Sequence, residues 1–230
     1  MDRKEIFCRV DHTLLYPVTT WEQIRVLCDQ AIAFGAASVC IPSCYVKQAH
    51  EYVAGRMTIC TVVGFPNGNT TPACKAFEAK EAIENGAKEI DMVINLGMLK
   101  AGNTQYVLDE IRLLKKTVGD LVLKVIIETC DLTEEEKITM CDIVTESADI
   151  LSGVLPEGRV IVVSDATIDR LYHPLLAPYD TVLIGAGESI KTLQTVESIY
   201  RRFIELGADR LGTSRIIKLA LQEKVEEGTY

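Results

Sequence analysis

Between Glu89 and Cys130 the chain reads EIDMVINLGMLKAGN, then an amphipathic helical segment, then LVLKVIIETC. The two apolar runs, 90–94 and 121–127, are bounded by turn residues and separated by the length of one helix. Short continuous apolar runs spaced in this way are the pattern of parallel strands buried on both faces. Each run nevertheless contains one charge, Asp91 in the first and Lys124 in the second. A lone charge among apolar neighbours is costly unless it is paired or neutralised. The two are therefore expected to meet each other, or a ligand, in a common interior.

The same alternation extends through the first 147 residues. Strands are expected at 10–14, 37–41, 57–63, 89–95 and 121–128, and helices at 21–34, 45–54, 71–85, 104–118 and 133–147. Thr19 and Thr20 precede the first helix and Gly35 stops it; Gly86 closes the third. Thr133 and Glu136 form a capping box at the start of the fifth. Repeated strand–helix–strand units of about 25–30 residues make right-handed crossovers. These build either an open doubly wound sheet or an eight-fold barrel.

At 230 residues, with 48% of them hydrophobic, the chain can bury one large core, and a single domain is expected. The net charge of −9 argues against nucleic acid or an anionic membrane as partner. No apolar run reaches membrane-spanning length and MDRKEIFCRV does not read as a signal peptide, so a soluble cytoplasmic protein is expected. Eight cysteines without a CxxC pair or zinc-finger spacing read as reduced thiols, with no metal. All of them lie between Cys8 and Cys141, and no lysine occurs between Lys137 and Lys191. The composition changes near residue 148.

The segments VDHTLL, ASVCIPSCYV, CTVVGFP, KAFEAKEAIENGAKEIDMVINLGMLKAGN and LKVIIETCDLTEEEK closely resemble the deoxyribose-phosphate aldolase family, in order and spacing. The resemblance covers residues 5–147 and returns at 207–218, GADRLGTSRIIK. It implies a (β/α)8 TIM-type barrel with active residues at the C-terminal ends of its strands. It also implies cleavage of 2-deoxyribose 5-phosphate to acetaldehyde and glyceraldehyde 3-phosphate through a lysine Schiff base, without a cofactor. The family's sixth strand ordinarily reads close to ADFVKTSTG, with the nucleophilic lysine, and its seventh carries a second lysine in KASGGI. Here the counterparts are ADILSG at 148–153 and VLIGAG at 182–187. Residues 149–210 instead resemble the N-terminal nucleotide-binding part of 3-dehydroquinate synthase, in a strand ending VVSD and a later GE-x-x-K-T. The reading that follows is a recombined, engineered chain: aldolase-like units over 1–147, a Rossmann-like βαβα segment over 148–210, and an aldolase-like final unit over 211–230. Strands at 159–164, 182–186 and 210–213 would close the barrel as its sixth, seventh and eighth. Residues 149–151 would then be an extra short segment, and a partly open barrel is the alternative.

By resemblance, Asp91 is the proton-relay aspartate and Lys124 a lysine beside the Schiff-base centre; the bland alternative is a scaffold ion pair. Asp11, beside His12 at the end of the first strand, is expected to contact substrate or, equally, to make a satisfied cap or core hydrogen bond, and Cys40 to face the site as a thiol or to serve as a small core residue. Gly212, Thr213 and Ser214 resemble a phosphate-binding turn before a helix, followed by an atypical Arg215. Gly187, Glu188 and Lys191 are the synthase-like residues, which in that family help hold NAD; without the synthase's next strand and glycine-rich turn, a lone loop that holds no nucleotide is the favoured reading. Asp165 caps a helix at 166–171, His50 and His173 lie on helix surfaces, and Trp21 packs a helix inward. Two function classes follow. In one, the chain is an impaired chimera because its nucleophilic lysine is missing. In the other, it is an active aldolase using Lys124 and Asp91 on a phosphorylated sugar, as a monomer or homodimer.

Overall fold

The structure is a computed structural model; residues 3–149, 161–165, 180–184, 193–205, 208, 210–212, 217 and 220 are described. The helices are α1 (Arg3–Phe7), α2 (Trp21–Phe34), α3 (Val46–Val53), α4 (Pro72–Glu84), α5 (Leu96–Lys100), α6 (Thr104–Val118), α7 (Glu134–Asp149) and α8 (Leu193–Glu205). The strands are β1 (Val10–Thr13), β2 (Ser38–Ile41), β3 (Ile59–Val63), β4 (Glu89–Val93), β5 (Val122–Ile126), β6 (Ile161–Asp165), β7 (Asp180–Ile184) and β8 (Leu211–Gly212). They fall into two compact units. One comprises Met1–Thr13, Asp29–Ser38 and Arg159–Tyr230; the other comprises Leu14–Cys28 and Val39–Gly158.

In the second unit the strands lie in the order β5-β4-β3-β2, all parallel. This is the order of consecutive crossovers, each helix returning the chain to start the next strand alongside the last. β4 buries Ile90, Met92 and Val93 completely, each contributing about 1.5–3 kcal/mol by leaving water. α6 turns Val107, Leu108, Ile111, Leu114 and Val118 inward, an apolar stripe at helical spacing. The starts of these helices are chemically marked. Thr71 accepts from the Cys74 N–H ahead of Pro72 in α4, Asn95 from the Met98 N–H in α5, and Asn103 from the Tyr106 N–H in α6, each satisfying a donor with no partner inside the helix. The expected capping box of α7 forms, with Thr133 N–H donating to Glu136 Oε2 at 2.8 Å and Glu136 N–H to Thr133 Oγ1 at 3.3 Å. Trp21 packs against Tyr45 and Tyr52.

In the first unit β1 and β8 run parallel, with Val10 opposite Leu211 and Asp11 opposite Gly212. Their core gathers Ile6, Phe7, Val10, Leu211 and Ile217, with Phe34, Tyr200 and Phe203 packed against it. β6 and β7 form a parallel pair over five residues each. Among the described residues β7 and β8 share no ladder, so the described strands do not complete the eight-membered ring expected from the sequence. What is established is an α/β architecture of parallel strands alternating with helices.

Element positions agree with the sequence pattern to within one or two residues through β5, with three departures. Asp149, expected to open an extra extended segment, is the last residue of α7; the helix simply runs on, since nothing in ESAD breaks it. α1 and α5, five residues each, are too short to show a helical period. The expected helix at 166–171, and His173, lie outside the described residues. Among the described residues no helix is long and apolar enough to cross a membrane.

Candidate active site

In a parallel sheet, register decides which side chains share a face. Asp91 of β4 stands opposite Lys124 of β5, Glu89 opposite Cys60 of β3, and Cys60 opposite Cys40 of β2. With side chains alternating along each strand, these five residues project to one face of the four-stranded sheet.

The contacts follow. Lys124 Nζ lies 2.9 Å from Asp91 Oδ1 and 3.1 Å from Glu89 Oε2, and 3.5 Å from Cys60 Sγ. Cys40 Sγ lies 3.8 Å from Asp91 Oδ2. The side chains of Lys124 and Asp91 keep 23% and 16% of their surface exposed, against 5% for Glu89, so the pair is sheltered yet reachable. Two carboxylates thus converge on one amine. The Cys60 thiol is pushed far above the usual thiol range, first by its hydrogen bond with Cys40, then by burial, then by the charges of Cys40 and Asp91, with Lys124 opposing. Cys60 is thus a neutral thiol at physiological pH.

Behind this face lies a second, fully buried ion pair. Lys75 Nζ of α4 sits 2.7 Å from Glu110 Oε1 of α6, both side chains at 0% exposure. Lys75 also donates to the Val93 carbonyl at 2.7 Å, and Glu110 Oε2 accepts from the Asn95 N–H at 3.1 Å. Burial raises the Glu110 pKa, the Lys75 hydrogen bond and charge and the Asn95 N–H opposing it. The pair therefore ties two helices to the C-terminal end of β4, two residues beyond Asp91. The Gly64 backbone lies against the Lys75 stem: a Cβ there would fall 2.6 Å from Lys75 Cε.

Of the residues expected from the sequence, Asp91, Lys124 and Cys40 come together. Asp11 and Gly212 belong to the other unit, where they are neighbours across the β1–β8 ladder. There Asp11 Oδ1 accepts from Ser38 Oγ at 2.7 Å and lies 3.6 Å from Arg210 Nε. His12 is buried, its Nε2 3.0 Å from Gln30 Oε1, and His50 is exposed on α3. Thr213, Ser214, Arg215, Gly187, Glu188 and Lys191 lie outside the described residues. Sequence reasoning missed Glu89 and Cys60 as members of the site. The signal was present in the period-two phase, since Glu89 is two residues before Asp91. It also missed the metal-competent grouping of Cys40, Cys60 and Asp91, whose donor atoms lie within 4.8 Å of one another, because its ligands come from three separate strands rather than one spaced motif.

Residues 6–147 match the DeoC/LacD family aldolases. The chain belongs to that family. A deoxyribose-phosphate aldolase of Streptococcus agalactiae serotype Ia is 47% identical over 232 residues, covering 100% of both chains. One from Clostridioides difficile is 47% identical over 220 residues, covering 96% of this chain and 97% of its own. Among solved structures, a candidate deoxyribose-phosphate aldolase from Coccidioides immitis superposes with a TM-score of 0.72 at 30% identity, over 96% of this chain and 87% of that one. A tetrameric deoxyribose phosphate aldolase from Aeropyrum pernix shares the fold, with a TM-score of 0.67 at 23% identity, covering 95% of this chain and 91% of its own. The family match ends at residue 147, but the Streptococcus agalactiae relative aligns over the whole chain. Full-length similarity gives no support to the expectation of a recombined chain with a dehydroquinate-synthase-like insert, nor to the impairment inferred from it.

Proposed function

We propose that this chain is an active deoxyribose-phosphate aldolase that uses Lys124 as its amine and Asp91 as its proton acceptor. The observation that carries this reading is the 2.9 Å pairing of Lys124 Nζ with Asp91 Oδ1, on a partly open sheet face of a chain 47% identical to curated aldolases. The one buried lysine among the described residues, Lys75, is enclosed at 0% exposure by Glu110 and Val93 and cannot reach a substrate.

The chemistry runs as a proton and carbon ledger. The Lys124 ammonium passes a proton to Asp91, and the neutral amine attacks C1 of the open-chain sugar aldehyde. Loss of water gives an iminium that draws electrons from the C2–C3 bond. Asp91, having given its proton to the departing water, accepts the C3 hydroxyl proton as that bond breaks and glyceraldehyde 3-phosphate is released. The remaining enamine takes a proton at C2, and hydrolysis frees acetaldehyde and the lysine. The side-chain amine is the electron sink, so no cofactor takes part. The Glu89 side chain lies beside the iminium, where its carboxyl dipole opposes the positive charge.

Acetaldehyde with sodium borohydride, followed by peptide mass spectrometry, tests the reading. It requires a reduced two-carbon adduct on Lys124 that vanishes in Lys124→Met. An adduct confined to another lysine, or none in a protein that turns over substrate, overturns the role of Lys124.

A further inference from the structure

The site face holds more than an amine and its acid. Cys40, Cys60 and Asp91 arrive from three adjacent strands, β2, β3 and β4, at positions brought side by side by the ladder register. Their Sγ, Sγ and carboxylate oxygen atoms all lie within 4.8 Å of one another. The geometry points to a site for one thiophilic divalent cation of the zinc or cadmium class, held by Cys40, Cys60 and Asp91.

Three arguments support it. First, zinc binds sulfur at about 2.3 Å and carboxylate oxygen at about 2.0–2.2 Å, so two ligand atoms on one tetrahedral ion stand about 3.5–3.8 Å apart. The Cys40 Sγ to Asp91 Oδ2 separation of 3.8 Å is close to that value, and Cys60 Sγ lies within 4.8 Å of both donors. Second, the ligand set is selective. Two sulfurs and one oxygen favour a soft or borderline ion over magnesium or calcium, which take oxygen ligands. Third, the charge balances. Coordination releases the two thiol protons to solvent and brings in one dication, so the net charge of this sheltered face does not change. Lys124, 3.5 Å from Cys60 Sγ, stays as a counterion to the new thiolate. Three protein ligands leave the fourth position to water, the arrangement of an open rather than a closed site.

Occupancy has a consequence that rests on the proposed aldolase chemistry. An ion on Asp91 removes the group that accepts the Lys124 proton, so the loaded protein loses activity and regains it on chelation. Binding itself does not depend on that chemistry.

The experiment uses full-length protein in which the exposed thiols Cys8, Cys44, Cys74 and Cys130 are replaced by serine, kept reduced and titrated with cadmium chloride. Thiolate-to-cadmium charge-transfer absorbance and calorimetry are the readouts. One equivalent should bind, and Cys40→Ser and Cys60→Ala should each weaken it about 100-fold or more, with thermal melting used to confirm folding. Asp91→Asn, which leaves both sulfurs in place, should weaken it about 10-fold or more. No charge-transfer band, or an unchanged affinity in folded Cys40→Ser and Cys60→Ala proteins, overturns the site. Acetaldehyde trapping on a lysine other than Lys124 would refute the role of Lys124 while leaving the cadmium result standing.

Discussion

Removing Lys75 while keeping Glu110 should be among the most damaging single changes available in the described chain. Both side chains are fully buried, so Lys75→Met leaves a carboxylate in the interior with the Asn95 N–H as its remaining named donor. Breaking a buried pair from one side costs about 3–5 kcal/mol, and Glu110→Leu should cost a similar amount by stranding the ammonium. Replacing both is another matter. An apolar pair in place of a buried ion pair is neutral or stabilising by about 1–4 kcal/mol. Against this, the Val93 carbonyl and the Asn95 N–H each lose a partner, at about 1–3 kcal/mol apiece. The double variant should therefore be about 2 kcal/mol less stable than the parent, far short of the roughly 6–10 kcal/mol sum of the singles. Urea unfolding of the four proteins, with the slope checked for constancy, measures the coupling. Additivity within about 0.5 kcal/mol would refute the reasoning. The pH dependence carries its own sign. Glu110 has a raised folded-state pKa, so its contribution is fully present below the unfolded value of 4.5 and is lost as pH rises through the folded pKa. Lys75→Met should accordingly be less destabilised in mild acid than at neutral pH.

Asp91→Asn should lower kcat for retro-aldol cleavage about 10²- to 10⁴-fold, the range of general acid–base assistance, with a smaller change in KM; wild-type kcat in the variant would remove Asp91 from the reaction. Gly68 adopts a φ of +67° and an added Cβ would collide with the Ile94 carbonyl oxygen. Gly68→Ala should therefore cost at least about 1–3 kcal/mol, read by chemical denaturation, and unchanged stability would contradict the close approach. Thr133→Ala should destabilise α7 by about 1 kcal/mol, seen as faster amide exchange in its first turn. Glu136, held below the ordinary carboxylate range first by its hydrogen bond to Lys100 and then by the Thr133 N–H, supports that turn above its unfolded value of 4.5. The support fades as pH falls through the folded pKa, so amide exchange there should quicken in acid in the parent protein.

Much of this molecule could be read from residues near one another in the chain. The alternation of apolar runs with amphipathic stretches placed β1 to β5 and α2 to α4, α6 and α7, and Thr133 with Glu136 marked a helix start that forms as expected. These features are local: a cap or a periodic stripe is decided within a few residues, and the propensities sum over one element. The charges in two apolar runs even announced that Asp91 and Lys124 would meet. The loss of two family lysines suggested a recombined chain, an inference that full-length similarity does not support, because a short segment can depart from the family pattern while the surrounding fold is retained.

What tertiary structure alone decided is which side chains share a face. Glu89 and Cys60 join the site because β3, β4 and β5 align in one register, and a shift of one residue would turn each of them to the opposite side. Lys75 reads in sequence as one more charge on a helix, and Glu110 as another. Their burial follows from how α4 and α6 pack together over the end of β4, and no local pattern encodes a partner 35 residues away. The sequence determined the elements through short-range chemistry. The sheet register and helix packing then chose the partners, since only in the folded chain are distant charges and thiols forced within bonding distance of one another.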